Sequence, residues 1–209
     1  MKTKRVASML PLLAGIGLGI AALASPFISA NHYIMAEGKR FTADHLLFFF
    51  WGKYYTVAGA NLIQSQMETY DFGDFPVYAM AVVILGLILG AVSMFGGRGL
   101  VLNIKGRILK LKLDTNPVYL QVFATIFVVL AYIYMNNASS ILTTDLQMDG
   151  YVVEYGPSVD FLLGSAVALA ISTIMTASKF LSEDNRQGNK QGNKQGNKQG
   201  NEQESVTKS

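Results

Sequence analysis

Long apolar runs alternate with polar stretches along the chain. Four runs stand out: residues 6–24 (VASMLPLLAGIGLGIAALA), 77–95 (VYAMAVVILGLILGAVSMF), 118–135 (VYLQVFATIFVVLAYIYM) and 159–181 (VDFLLGSAVALAISTIMTASKFL). At 1.5 Å of rise per residue, each is long enough to cross a hydrocarbon core of about 30 Å. Pro76, Pro117 and Pro157 stand just before or at the start of the last three runs. Proline is tolerated in a first helical turn, where its missing N–H would be unpaired anyway. The pattern predicts a membrane α-helical fold. A four-helix transmembrane bundle occupies residues 1–181, with outer loops 25–76 and 136–158, an inner basic loop 96–117, and a small extracytoplasmic domain containing β-structure.

Residues 45–57 (HLLFFFWGKYYTV) test that reading, because residues 46–63 are just long enough for a fifth span. Lys53 would then lie near the bilayer centre, at a cost of about 2.5–3.5 kcal/mol. With four spans and an inner N-terminus, 14 of the 17 Lys and Arg residues fall inside, and Lys39, Arg40 and Lys53 fall outside. A fifth span would put the basic 98–112 segment opposite the basic N-terminus, against the positive-inside rule. The stretch therefore reads as non-spanning, with both termini cytoplasmic in a multi-pass protein of the plasma or cytoplasmic membrane. Residues 2–24 also resemble a secretory signal, with Ala22-Leu23-Ala24 as a cleavage site, which would leave three spans. The length of the run, and Gly15, Gly17 and Gly19 within it, favour a retained helix.

In the first outer region, Gly38 marks a turn between NHYIMA and FTADHLLFFF. The aromatic and β-branched content of FFFWGKYYTV fits strands, although LLFFFW lacks clean alternation and also fits a short interfacial helix. Phe48, Phe49, Phe50, Trp51, Tyr54 and Tyr55 are the candidate contact residues. They would anchor the domain to membrane lipids at headgroup level or meet a protein partner. Glu68, Asp71 and Asp74 near a glycine offer a weak calcium site that matches no EF-hand spacing. His32 and His45 lack any zinc-ligand spacing. In the second outer loop, residues 151–155 (YVVEY) fit a strand that pairs with the first outer region. Asn137-Ala138-Ser139 is a formal glycosylation sequon set too close to the membrane to count.

The inner segment 98–114 (RGLVLNIKGRILKLKLD) alternates apolar and polar residues on both sides of Lys105-Gly106, which predicts a β-hairpin with a basic face toward anionic headgroups. Beyond residue 181 the chain becomes a QGNK repeat with no apolar residue, expected to be a disordered, solvated tail over 182–209.

Composition narrows the functions. Of 209 residues 51% are apolar and 15% charged, against about a quarter charged in soluble domains. There is no cysteine, which excludes disulfides, thiolate metal sites and thiol nucleophiles. A net charge of +3 is too small and dispersed for nucleic acid. No catalytic or cofactor signature is present, so no enzyme activity, cofactor or metal is expected.

The spans carry no Lys, Arg, Glu or His at their centres, which argues against a pump or an ion-coupled transporter. Gly15 with Gly19, Gly86 with Gly90, and Gly164 with Ala168 have the small-xxx-small spacing of close helix packing. Gln121, Thr125 and Tyr132 share one helical face, as do Ser165, Ser172 and Thr176; with Thr173 they are the polar residues a conduit could use.

The layout resembles the claudin and peripheral-myelin-protein class of tetraspan proteins. Both termini lie inside, the first outer loop is long and aromatic, and the second is short. That family's first loop carries Trp, then Gly-Leu-Trp, then two cysteines. Phe50-Trp51-Gly52 is the nearest stretch here, with Tyr54 where the first cysteine would stand. The resemblance implies a left-handed four-helix bundle topped by a small β-sheet, working through lateral or cell–cell contacts. The expected function is non-catalytic: assembly, adhesion or an accessory-subunit role through the aromatic outer domain, with a protein partner or self-association. The alternative is an oligomeric pore or small-solute conduit.

Overall fold

The computed structural model of the chain describes residues 2–58, 63–69, 74–95, 100–104, 107–111 and 116–206, with side chains described over 9–57, 65–69, 74–95, 116–179 and 181–182. Four helices and seven strands follow one another: α1 (Lys2–Ala24), β1 (Ile28–Ala36), β2 (Lys39–Phe49), β3 (Gly52–Ala58), β4 (Ile63–Thr69), α2 (Phe75–Ser93), β5 (Leu100–Ile104), β6 (Arg107–Leu111), α3 (Pro117–Met148), β7 (Val152–Tyr155) and α4 (Pro157–Val206).

The helix starts follow local chemistry. Pro76, Pro117 and Pro157 all sit in first turns. The Asn116 side chain accepts from the Val118 N–H at 3.0 Å, capping α3. Pro11 lies inside α1, where its missing N–H removes one intrahelical hydrogen bond. Three helical segments are long and apolar enough to cross a membrane: Phe75–Ser93, Pro117–Met148 and Pro157–Lys179. In α1 the described apolar portion is the shorter Met9–Ala24. Only about a third of each long window is buried inside the protein (33%, 28% and 28%). Side chains such as Ile88, Leu130, Ile133 and Ile174 are left facing outward, as apolar solvent requires.

Helix α3 corrects the expected loop at 136–158. It has 32 residues, or about 48 Å, well beyond a hydrocarbon core. Its last thirteen residues (NNASSILTTDLQM) look polar to a hydropathy window. They nevertheless bury Ser139, Thr143 and Leu146, the i, i+4, i+7 face of an amphipathic helix. The helix ends in a Schellman motif. Gly150 takes φ +86°, its N–H bonds to the Gln147 carbonyl, and the Tyr151 N–H reaches the Leu146 carbonyl. The chain then reverses into β7, and YVVEY pairs antiparallel with β1, as the sequence leads one to expect. A further difference lies in α4, which runs on to Val206 through the repeat expected to be a disordered tail. No proline follows Pro157, so nothing blocks the ladder, although each glycine weakens it by about 1 kcal/mol relative to alanine.

Five strands form one antiparallel sheet in the order β4-β3-β2-β1-β7. It joins the C-terminal ends of α1 and α3 to the N-terminal ends of α2 and α4. β5 and β6 form a separate antiparallel hairpin between α2 and α3, at the opposite ends of those helices. The turn expected at Lys105-Gly106 lies outside the described residues.

Small residues bring the helices together. A Cβ on Gly15 would lie 2.9 Å from Leu169 Cγ, and one on Gly19 would lie 2.5 Å from Leu87 Cδ2. One on Gly86 would meet the Ala124 carbonyl oxygen at 3.1 Å, and one on Gly164 would meet Leu18 Cδ1 at 3.2 Å. Gly90 has ordinary contacts beyond 3.6 Å, Ala168 is half-buried, and Gly17 has open space. The Ser165 hydroxyl donates to the Gly15 carbonyl at 2.7 Å, tying α4 to α1.

Candidate functional site

The sheet has two unlike ends. At the helix end, Phe27 and Phe50 are completely buried and Phe48 nearly so. Phe27 packs against Phe48, Phe50 and Phe75, with ring centroids 6.2, 6.1 and 6.3 Å apart. The chain segments entering and leaving the sheet are clamped there. The Gly156 N–H donates to the Phe27 carbonyl at 3.0 Å, and the Ser158 hydroxyl donates to the Ala22 carbonyl at 2.7 Å. A Cβ on Gly156 would strike the Pro26 carbonyl oxygen, so only glycine fits.

The stretch HLLFFFWGKYYTV is a hairpin rather than a span: the end of β2, a turn at Phe50-Trp51, and β3. Its six candidate contact residues do not form one surface. Strand alternation sends Phe48 inward with Ile28 and Ala30, while Phe49 and Tyr54 take the opposite face. Phe48 and Phe50 are therefore core residues, not partner contacts. Phe49 and Trp51 stack at 5.1 Å between centroids, and Trp51 stays 43% exposed beside the helix ends. Tyr55 lies on the other face from Tyr54 and donates to Gln66 Oε1 at 2.6 Å. The Tyr54 phenol is held below its ordinary value by hydrogen bonds from Ser65 and then Thr56. Gly52 is required because a Cβ would strike the Glu68 carbonyl oxygen.

At the far end the sheet narrows. β7 pairs β1 only over Ile28 to Asn31, and β3 pairs β2 only from Asp44 onward. β1 and β2 continue alone over residues 33–42. A register shift between His32 and Tyr33 marks the place where both neighbours stop, a bulge that re-aims the ribbon. Four residues per strand carry it about 13 Å past its neighbours. Its tip turns through Glu37 and Gly38 at φ 53° and 73°, the left-handed pair of a type I′ hairpin.

Among the described residues both edges of this ribbon are unpaired, and it exposes apolar side chains. Ile34 and Phe41 oppose each other across the strands, each 48% exposed, and Met35 is 71% exposed. The Arg40 guanidinium sits 3.7 Å over the Tyr33 ring. At the ribbon's root, His32 Nδ1 lies 3.6 Å from Asp44 Oδ2, and its ring is 5.3 Å from that of Tyr151. Burial, then Asp44 and Asp149, push the Tyr151 phenol up from its ordinary value. Sequence reasoning reads this segment as no more than a turn at Gly38. The signal it carries is the run of three large apolar residues, Tyr33-Ile34-Met35, just before the turn at Glu37-Gly38.

Among the described residues no group of three or more His, Asp or Glu could hold a metal. Glu68 is paired with Lys53 at 2.9 Å, and Asp71 lies outside the described residues. Of the candidate conduit residues, buried Gln121 Oε1 has no partner among the described residues, Ser165 bonds across to α1, and three threonines bond within their own helices. Thr125 donates to the Gln121 carbonyl, Thr173 to Leu169 and Thr176 to Ser172, each at 2.8 Å. No protein-family model and no curated protein matches the chain.

Proposed function

We propose that the chain is a four-span integral membrane protein whose sheet stands outside the cytoplasm as a non-catalytic contact module, acting in assembly or adhesion. In this reading α1 is the fourth span, the β5–β6 hairpin and both termini are cytoplasmic, and the membrane is the plasma or cytoplasmic one. The sheet draws four strands from the first connection and one from the second, which suits the claudin-like layout. The observation that carries the proposal is the ribbon at residues 33–42. It projects beyond the other strands with open edges and exposed Ile34, Met35 and Phe41, and soluble surfaces leave such groups uncovered at an aggregation cost. Trp51, beside the helix ends, takes the interfacial anchoring role. The conduit alternative loses support because the hydroxyls of Thr125, Ser165, Thr173 and Thr176 are bonded to helix carbonyls.

The test is recovery of stoichiometric partners, or of a homo-oligomer, from native membranes in mild detergent. A Met35→Asp, Phe41→Asp double variant should lose the assembly while its monomer stays folded. Trp51→Ala should keep it. Assembly unchanged in the double variant overturns the reading. Because the chain has no cysteine, Glu37→Cys added to that double variant and labelled by an impermeant maleimide on intact cells tests the topology separately.

A further inference from the structure

An open groove runs between α2 and α3. Its lower part, of about 450 Å³, is lined by Tyr78, Val82, Phe127 and Leu130 over a floor of Ala79 and Ala131. Its upper part, of about 350 Å³, shares Tyr134 and rises past Asn137 and Ile141 to Asp145. Both volumes lie in the range of small-molecule sites. From Phe127 to Asp145 the groove follows one face of α3 for about 27 Å. It therefore begins on a segment apolar enough to span a membrane and ends on the part of the helix that stands above the hydrocarbon.

We propose that this groove holds one phospholipid with an ammonium-bearing zwitterionic headgroup. The inference rests on the membrane-spanning reading of α2 and α3, not on the ribbon. The apolar lower part takes an acyl chain. Asn137, near the exit from the hydrocarbon, offers an amide to the ester or phosphate oxygens. Asp145 stands about 12 Å higher, and side chains on a helix lean toward its N-terminus, so its carboxylate inclines down toward the headgroup. Charge selects the occupant. No Lys, Arg or His occurs between Lys112 and Lys179, nor within α2, and Lys53 is paired with Glu68. An anionic headgroup would find no cation on either wall, whereas an ammonium group meets Asp145.

The test is native mass spectrometry of the full chain released from mild detergent after mixing with phosphatidylethanolamine or phosphatidylglycerol. The wild type should retain one phosphatidylethanolamine, roughly five-fold in preference to phosphatidylglycerol. Asp145→Lys, an exposed change that spares the fold, should reverse that preference. Ala138→Trp, which fills the upper groove, should lose retention of both lipids. Equal retention of the two lipids by the wild type overturns the headgroup assignment. Retention unaffected by Ala138→Trp, or a partner helix crosslinked into the groove in place of lipid, overturns the site. Maleimide labelling of Glu37→Cys in the Met35→Asp, Phe41→Asp background, where no partner covers the ribbon, reports the topology alone, so the two failures are distinguishable.

Discussion

The two ends of β2 carry similar residues and have opposite fates. At one end Phe48 is buried with Phe27, Phe50 and Phe75. At the other end Phe41 lies half open on a two-stranded ribbon. Hydrophobicity does not separate them; what separates them is the number of neighbours each strand has at that level. Where β3 and β1 flank β2 and β7 backs β1 above the helices, an aromatic ring becomes core. Past the bulge at His32 and Tyr33, the same chemistry becomes an exposed surface.

The largest effect expected from this contrast is at the closed end. Phe27→Ala should cost about 3–5 kcal/mol and lower the thermal unfolding midpoint in detergent. If it is mild, the sheet is not seated by its aromatic cluster. A helix contact comes next: Gly86→Leu should cost about 1–3 kcal/mol by overpacking against α3, measured the same way. At the open end, Phe41→Ser should change monomer stability by less than about 1 kcal/mol. A loss as large as that of Phe27→Ala would mean that the ribbon tip is core after all. Glu37→Asn, which gives the favoured Asn-Gly turn, should stabilise the hairpin by about 0.5–1 kcal/mol.

The smallest effect lies at the boundary between the ends. A phenol whose folded pKa is raised contributes stability that is whole below its unfolded value of about 10 and is lost as pH rises through the folded value. Tyr151 is such a group, and Tyr54 is shifted the other way. Phenolate absorbance should show Tyr54 ionising before Tyr151. Tyr151→Phe should remove the later step and soften the alkaline fall in stability.

Much of this was legible in the sequence, for identifiable reasons. The three first-turn prolines and the long apolar runs locate α2, α3 and α4, because bilayer length is a constraint that a single run must meet by itself. The strand YVVEY is visible as a short aromatic and β-branched run, and the β5–β6 hairpin from alternation on both sides of a possible turn at Lys105-Gly106. The extension of α3 is not, because its buried face is built from Ser139 and Thr143, which a hydropathy window scores as polar. Nor is the division within HLLFFFWGKYYTV. Which of Phe48, Phe49 and Phe50 turns inward depends on register with β1, a pairing set by residues far away in the chain. The ribbon's exposure is likewise a property of where its neighbours end.

The pairing of Ile28 with Tyr155 and the clamp of Gly156 on Phe27 have a consequence for the order of events during synthesis. β1 to β4 leave the ribosome early and can form a four-stranded sheet by themselves. The free edge of β1 stays open until two further helices have been made and β7 has come back beside it. The last helix starts only two residues after that strand, so the placing of α4 and the closing of the sheet are tied together. A chain interrupted before α4 would present a bare strand edge over buried Ile28 and Ala30, a form that quality-control machinery can recognise as unfinished.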